Sequence, residues 1–363
     1  QTLFLLALQP IGETIGDKSS FGFRKYRSCA DAMEQLFTIL SSRRSGQWIL
    51  EGDIKGCFDN ISHQWMLENI PVDKTILNKF LKAGFVYRKQ LFPTTKGAIQ
   101  GGTISPTLAN LTLDGLEYEI ARHYFLTKKR KISYHSRNNP NHLHIVRYAD
   151  DFVVTANNKE VLEQIVGIIS KFLNKRGLEL SREKTSITHI NDGFDFLGWN
   201  FRKYNNKLII KPSVKSLNKV TKKISEIIHT NRTVKQEFLI YQLNQVLKGW
   251  CNYHQPVCSK QTFENLNHRI FNMIWKWAKR RHPNKGAKWI KERYWKNKGS
   301  RDWIFSDRKA TLIRPSDIPI VRHERLKLDM NPYKDKEYFL IKKERRKNAK
   351  KLAYKDTAAF KSR

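Results

Sequence analysis

Residues 147–154 read RYADDFVV. Two β-prone runs, 144–148 and 152–156, flank Ala149, Asp150 and Asp151, which predicts a hairpin with the acids at its tip. Successive strand residues point to opposite faces, so neighbouring carboxylates converge only where a turn bends the backbone. Converging carboxylates repel unless a cation lies between them. Mg²⁺ suits such a place, because it takes oxygen ligands and keeps positions for water and phosphate. Taken alone, the pair reads more readily as a solvated turn.

Upstream, residues 48–53 form a short apolar run ending in Asp53, which predicts a strand that delivers a third acid. Three such acids would complete a two-metal cluster, one ion activating a hydroxyl and the other holding a triphosphate. By itself Asp53 is better explained as a capping or salt-bridge acid; the conjunction of strand acid, glycine-rich loop and hairpin acids in a basic chain is what changes that reading. Asp59 reads as a cap for a helix near 61–66 or as a local hydrogen-bond partner. Between these acids and the hairpin lies KGAIQGGTISP, residues 96–106. Its glycines let backbone approach a ligand, so Gln100 and the amides of Gly101 and Gly102 are candidates for touching a nucleotide or template. A plain turn would use the same residues. No GK[ST] follows the glycines, which counts against a Walker-type ATPase.

Around this centre the pattern is mixed. Helices are expected at 1–15, 29–40, 62–69, 74–83, 108–120 and 159–175. A hairpin or loop is expected at 92–102, an exposed loop at 127–142, and two short strands at 194–201 and 207–210. From about residue 211 the chain becomes helical, over 214–229, 234–254 and 262–281. Residues 282–335 are rich in Trp, Arg and Lys, and 341–355 read as a basic helix or arm.

Charge divides along the same line. The 363 residues carry a formal net charge of +35. Residues 1–200 hold 26 basic and 20 acidic side chains, and the remainder holds 42 and 13. An excess of that size calls for an anionic partner, and a phosphate backbone is the natural one. A merely soluble basic surface and an anionic membrane surface are the other readings. Four Cys, at 29, 57, 251 and 258, are too few for a disulfide scaffold and fit no zinc spacing. No apolar run is long enough to span a membrane, and residues 1–16 make a poor signal peptide.

The motifs, in this order, closely resemble the reverse transcriptase–maturase proteins encoded by group II introns. Asp53 with residues 54–58, QGGTISP at 100–106, YADD at 148–151, EKT at 183–185 and FLGW at 196–199 resemble successive reverse-transcriptase blocks. LKGWCNYH at 247–254 resembles a core segment of the thumb/maturase domain, domain X. The resemblance covers about residues 1–290. It implies an α+β fold: a right-hand polymerase palm and partial fingers with an antiparallel sheet over 1–205, a helical thumb/maturase domain over 206–300, and a basic DNA-binding region over 301–363.

The same resemblance implies roles. Asp53, Asp150 and Asp151 would be catalytic acids holding two Mg²⁺ ions, with the Ile54 carbonyl a further metal contact. Phe58 would gate against a ribose 2′-OH, or serve as a core aromatic. Gln100 and Gly101 would face nucleotide or template. Lys184 would lie near the triphosphate, or be a surface lysine. Tyr148 would support the hairpin and touch the primer end, or be a buried structural Tyr. Lys276, Lys279, Arg280, Arg281, Arg293, Arg308 and Lys309, interleaved with Trp and Tyr, would line a positive groove with stacking platforms, or form the wet face of helices with an aromatic core.

The expected partners are group II intron RNA, target DNA, a primer–template duplex and dNTPs, with no membrane and a homodimer left open. The expected activity is RNA-directed DNA synthesis together with splicing assistance. The competing class is a non-catalytic RNA-binding splicing cofactor. Retron-like enzymes are disfavoured by 247–254. N-terminal fingers blocks are expected before Gln1, and no HNH-type endonuclease pattern follows residue 290. The expected location is bacterial cytoplasm, associated with the nucleoid, with an organelle left open.

Overall fold

The structure is a computed structural model. It describes residues 1–88, 90–92, 94–127, 131–134, 137–298 and 301–362, with backbone alone at 85–87, 91, 298 and 356–362. The chain folds into two compact units. One comprises 1–194, 202–208 and 324–342, and the other comprises 195–201, 209–323 and 343–363.

The first unit opens with helices α1 (Thr2–Ile15) and α2 (Cys29–Leu40), then strand β1 (Trp48–Asp53). Helices α3 (Cys57–Asn60), α4 (His63–Asn69) and α5 (Lys74–Lys82) follow, then a hairpin, β2 (Phe85–Tyr87) and β3 (Gln90–Phe92). Next come α6 (Ser105–Leu113), α7 (Leu116–Tyr124), β4 (His144–Tyr148), β5 (Asp151–Ala156), α8 (Lys159–Asn174) and β6 (Ser186–His189). An antiparallel sheet in the order β4-β5-β1-β6 forms the centre. Val146, Val153 and Ile49 are buried, and so are Leu50, Phe152 and Val154, so both sheet faces are covered. Helix α8 packs on β1 and β5, and α2 packs on β4. Residues 324–342 also belong to this unit: Phe339 stacks on Tyr26, and Lys342 pairs with the buried Asp31 at 2.5 Å.

Three short strands, β7 (Phe194–Phe196), β8 (Trp199–Tyr204) and β9 (Lys207–Pro212), make a second sheet in the sequence order β7-β8-β9. The second unit is mainly helical: α9 (Val214–Thr230), α10 (Gln236–His254), α11 (Lys260–Arg281) and α12 (Ala287–Tyr294), then a hairpin, β10 (Trp295–Lys298) and β11 (Arg301–Phe305). A final helix, α13 (Lys336–Ser362), closes the chain. Leu217, Ile224, Leu239, Leu243, Leu247, Leu266 and Ile274 recur at helical spacing and form the core of α9–α11.

Several expectations need correction. The helix expected over 108–120 is two helices, because Asp114 leaves the helical region and Gly115 sits at φ +93°. The strand expected over 194–201 is broken at Leu197 and Gly198, both at positive φ, so three strands replace two. Of the hairpin or loop expected at 92–102, the described residues from 94 onward form the loop, and the hairpin lies upstream, at 85–92. Asp151 is the first residue of β5 and not part of the turn. Ser62, not Asp59, caps α4, accepting from the Trp65 amide. Part of the loop expected over 127–142, at 128–130 and 135–136, lies outside the described residues.

Candidate active site

The central sheet sets the positions of the acids. β1 and β5 run antiparallel with Asp53 opposite Asp151, while β4 pairs Tyr148 with Asp151. Ala149 and Asp150 are therefore the two-residue turn, and Ala149 takes φ +56°. A side chain at positive φ costs about 1–2 kcal/mol, so the surroundings must hold the turn.

They do so from below. Ser19 to Gly22 lie along the edge of β4: the Arg147 amide donates to Ser19 O at 2.9 Å, and the Phe21 amide donates to Arg147 O at 2.8 Å. Gly22 lies against the turn so closely that a Cβ there would meet Ala149 N at 2.3 Å. At Gly52, beside Asp53, a Cβ would strike the Phe152 ring at 2.2 Å. Two glycines thus let backbone and ring close around the acids.

Arg147 anchors this layer. Its side chain is 2% exposed. Nη2 donates to Asp114 at 2.5 Å, and Nη1 donates to Asn110 Oδ1 and to Ala149 O, each at 3.3 Å. Asp114 neighbours Asp17, whose carboxylate accepts from the amides of Gly115 and Glu117. Burial pushes both carboxyls up to about 6. The Glu117 charge raises Asp17 further, while Arg147 opposes the rise on both. Sequence reasoning missed this network. Its one visible signal was an arginine inside the apolar run HIVRY.

Above the anchor, the three acids share a field. Burial first, then the charges of Asp150 and Asp53, raise the Asp151 carboxyl to about 6. Burial and the Asp53 charge also raise Asp150, opposed by Lys184. Lys184 reaches both Asp53 oxygens, at 3.1 and 3.2 Å. That contact raises the pKa of Lys184, whose side chain is largely exposed. Among the described residues, no group of three His, Cys, Asp or Glu side chains is already gathered as an ion cage. The donor set nonetheless suits Mg²⁺: it consists of hard carboxylate oxygens whose mutual repulsion has already recruited one ammonium.

A recess of about 480 Å³ is lined by Phe58, Asp59, Lys96, Ala98 and Gln100. Phe58 meets Phe23 edge-on at 6.0 Å. Ala98 N donates to Phe58 O at 2.6 Å, and Gln100 Nε2 donates to Asp59 at 3.3 Å. Gly101, at φ +87°, has open space around it. The Ile54 side chain is buried, and Ile54 bridges Leu180. Tyr148 bonds Cys29, and burial first, then that contact, pushes its hydroxyl up to about 12.

In the second unit, Lys276, Lys279 and Arg280 are exposed along the last turns of α11, and Arg293 and Arg308 are exposed beyond it. Lys309 is exposed but paired with Glu237 at 3.2 Å. Arg281 turns inward, donating to the carbonyls of Arg232 and Val234. The aromatics divide: Trp277, Tyr294 and Trp295 are core, while Trp303 is 42% exposed. Trp199 of FLGW stacks on Tyr253 of LKGWCNYH at 4.6 Å, so these two motifs meet.

Residues 1–201 match the family model described as reverse transcriptase (RNA-dependent DNA polymerase), and 217–295 match that of the group II intron, maturase-specific domain. The chain belongs to the group II intron-encoded reverse transcriptase/maturase family. It is similar to the group II intron-encoded protein LtrA of Lactococcus lactis subsp. cremoris, 29% identical over 350 residues that cover 74% of this chain and 57% of that one. Protein YkfC of Escherichia coli (strain K12) is 30% identical over 54% of this chain and 58% of its own. An uncharacterized 91 kDa protein in the cob intron of Schizosaccharomyces pombe is 28% identical over 72% and 41%. The chain thus spans between about two fifths and three fifths of the length of these curated relatives. Among solved structures, apo telomerase from Candida tropicalis aligns with 14% identity and a TM-score of 0.45, over 77% of this chain and 48% of that one. No helix among the described residues is long and apolar enough to cross a membrane.

Proposed function

We propose that this protein is an RNA-directed DNA polymerase and maturase that binds its group II intron RNA, assists its splicing and copies it into DNA during mobility. The observation that carries the reading is the register that sets Asp53 opposite Asp151, with Asp150 in the adjoining turn and Lys184 on Asp53. In this reading 1–205 are palm and partial fingers, 206–300 thumb and domain X, and 301–363 a region gripping target DNA.

Asp53, Asp150 and Asp151 would hold two Mg²⁺ ions, with the Ile54 carbonyl as a further contact. Bound there, the ions supply activation of a primer 3′-hydroxyl and charge relief for the leaving pyrophosphate. The chain's own residues do the rest. Arg147 and Gly22 hold the turn so that Asp150 stays aimed. Phe58 walls the recess against a 2′-hydroxyl, Gln100 and Gly101 face template and nucleotide, and Tyr148 supports the primer end. Lys184 is displaced from Asp53 and left to bind the triphosphate. The basic residues of α11 and beyond hold the RNA or the template–primer duplex by its phosphates.

The test is primer extension on an RNA template with Mg²⁺, alongside a splicing assay with the cognate intron. Asp150→Asn and Asp151→Asn are expected to abolish synthesis and leave splicing assistance largely intact. Equal loss of both activities would overturn this division. Splicing assistance without any synthesis by the unaltered protein would favour a non-catalytic RNA-binding cofactor.

A further inference from the structure

Within the second unit, α9, the connection after it and α11 line an open-mouthed cavity of about 440 Å³. Small-ligand pockets span about 300–1,000 Å³. The wall is of two kinds. Ile228, Met273 and Trp277 provide an apolar floor, while Arg232, Lys276 and Arg280 stand at the rim, and among the described residues no acid lines the cavity. Lys276 and Arg280 are exposed and carry no hydrogen bond or ion pair among the described residues.

The cavity is built and braced. Arg281 Nη1 donates to Arg232 O and Val234 O, both at 2.9 Å, tying the α9–α10 connection to α11. Its guanidinium lies 4.6 Å from the Trp277 ring centre, and its buried Nε has no partner. Trp277 Nε1 donates to Asn231 O at 2.9 Å, a second tie across the same gap. The helices therefore hold the floor open, with Lys276 and Arg280 exposed beside it.

A wall with cations and no acid selects an anion. A bare phosphate would leave the apolar floor uncovered, and a duplex is too wide to enter. A single nucleotide satisfies both parts, since every base offers a flat face for an apolar or aromatic floor. We propose that this cavity takes one unpaired nucleotide of a bound RNA, its base on Met273 and Ile228 and its phosphate among Arg232, Lys276 and Arg280. This rests on the reading above that the unit binds nucleic acid. It adds a pocket that singles out a splayed base, where an open basic face would follow the backbone alone.

The experiment is fluorescence anisotropy of the full chain with a short fluorescein-labelled oligoadenylate RNA, over a series of salt concentrations. Met273→Trp fills the cavity from α11, and Ser225→Trp, at an exposed position, fills it from α9. Neither changes the charge. Both are expected to weaken binding about tenfold, the worth of one stacked base, with the salt slope unchanged. Arg232→Gln with Arg280→Gln should weaken binding and lower the slope by about 1.4. If Met273→Trp disturbs the thermal melt, Ser225→Trp decides alone. Unaltered binding by the filled variants, beside weakened binding by the charge variant, overturns the pocket and leaves an open phosphate-binding face. Failure of the unaltered protein to bind the oligonucleotide overturns the nucleic-acid reading itself.

Discussion

At the scale of single residues, the acids matter less by count than by the field they share. Asp151 is held near a pKa of 6 by burial and by two neighbouring carboxylates, and Lys184 answers that excess at Asp53. Substituting Asp150→Asn should cut DNA synthesis by more than about 100-fold, the loss that even an outer-shell partner of a metal site can cause. Steady-state primer extension reads it. Phe58→Ala should relax the choice of dNTP over rNTP by roughly tenfold or more, if the ring acts by bulk. Competing incorporation of the two on one template checks this, and unchanged selectivity would assign Phe58 to the core around Phe23. Arg147 works out of contact with any substrate. Replacing it with Leu leaves Asp114 buried without its cation, a loss of about 3–5 kcal/mol. Urea unfolding of the full chain should show the first unit destabilised by that order.

Among elements, the hairpin β4–β5 depends on what lies against it. A Cβ at Gly22 would press on Ala149 N at 2.3 Å, and neither backbone can yield cheaply. Gly22→Ala should therefore lower synthesis while RNA binding by the second unit persists, as parallel extension and anisotropy assays would show. The connection between α6 and α7 carries a pH signature. Asp17 and Asp114 have folded-state pKa values of about 6, above the ordinary 3.8. A raised carboxyl favours the folded state while it stays protonated. Its contribution is complete below about 3.8 and is lost as pH rises through about 6. Asp17→Asn should flatten the fall in melting temperature between pH 4 and 6 relative to the unaltered protein. An unchanged slope in calorimetry would show that Asp17 does not titrate there.

Over the whole molecule, the charge of +35 is spread unevenly, with 42 basic and 13 acidic side chains after residue 200. A protein that neutralises six to ten phosphates loses about 10³–10⁵ in affinity between 50 and 200 mM salt. RNA binding by the full chain should show that steepness, and Asp150→Asn should leave it unchanged. This charge, the order of the motifs and the β-prone runs around Asp150 were all legible in the sequence, because they depend on local composition and on spacings of two and 3.6 residues. So were the boundaries of β1 and α2. The split of 108–120 was not, because Gly115 reads as helix-tolerant until its φ is known. Nor was the role of Arg147, a cation in an apolar run that makes sense only beside Asp114 and Asn110, distant in the chain. The pairing of Asp53 with Asp151 spans almost a hundred residues and is a matter of register, which only the assembled sheet decides. Sequence alone determined that three acids and a basic helical half exist. The tertiary structure decided that two of those acids face each other across paired strands, and that a buried arginine holds the third in its turn, because long-range pairing and burial arise only when distant segments pack.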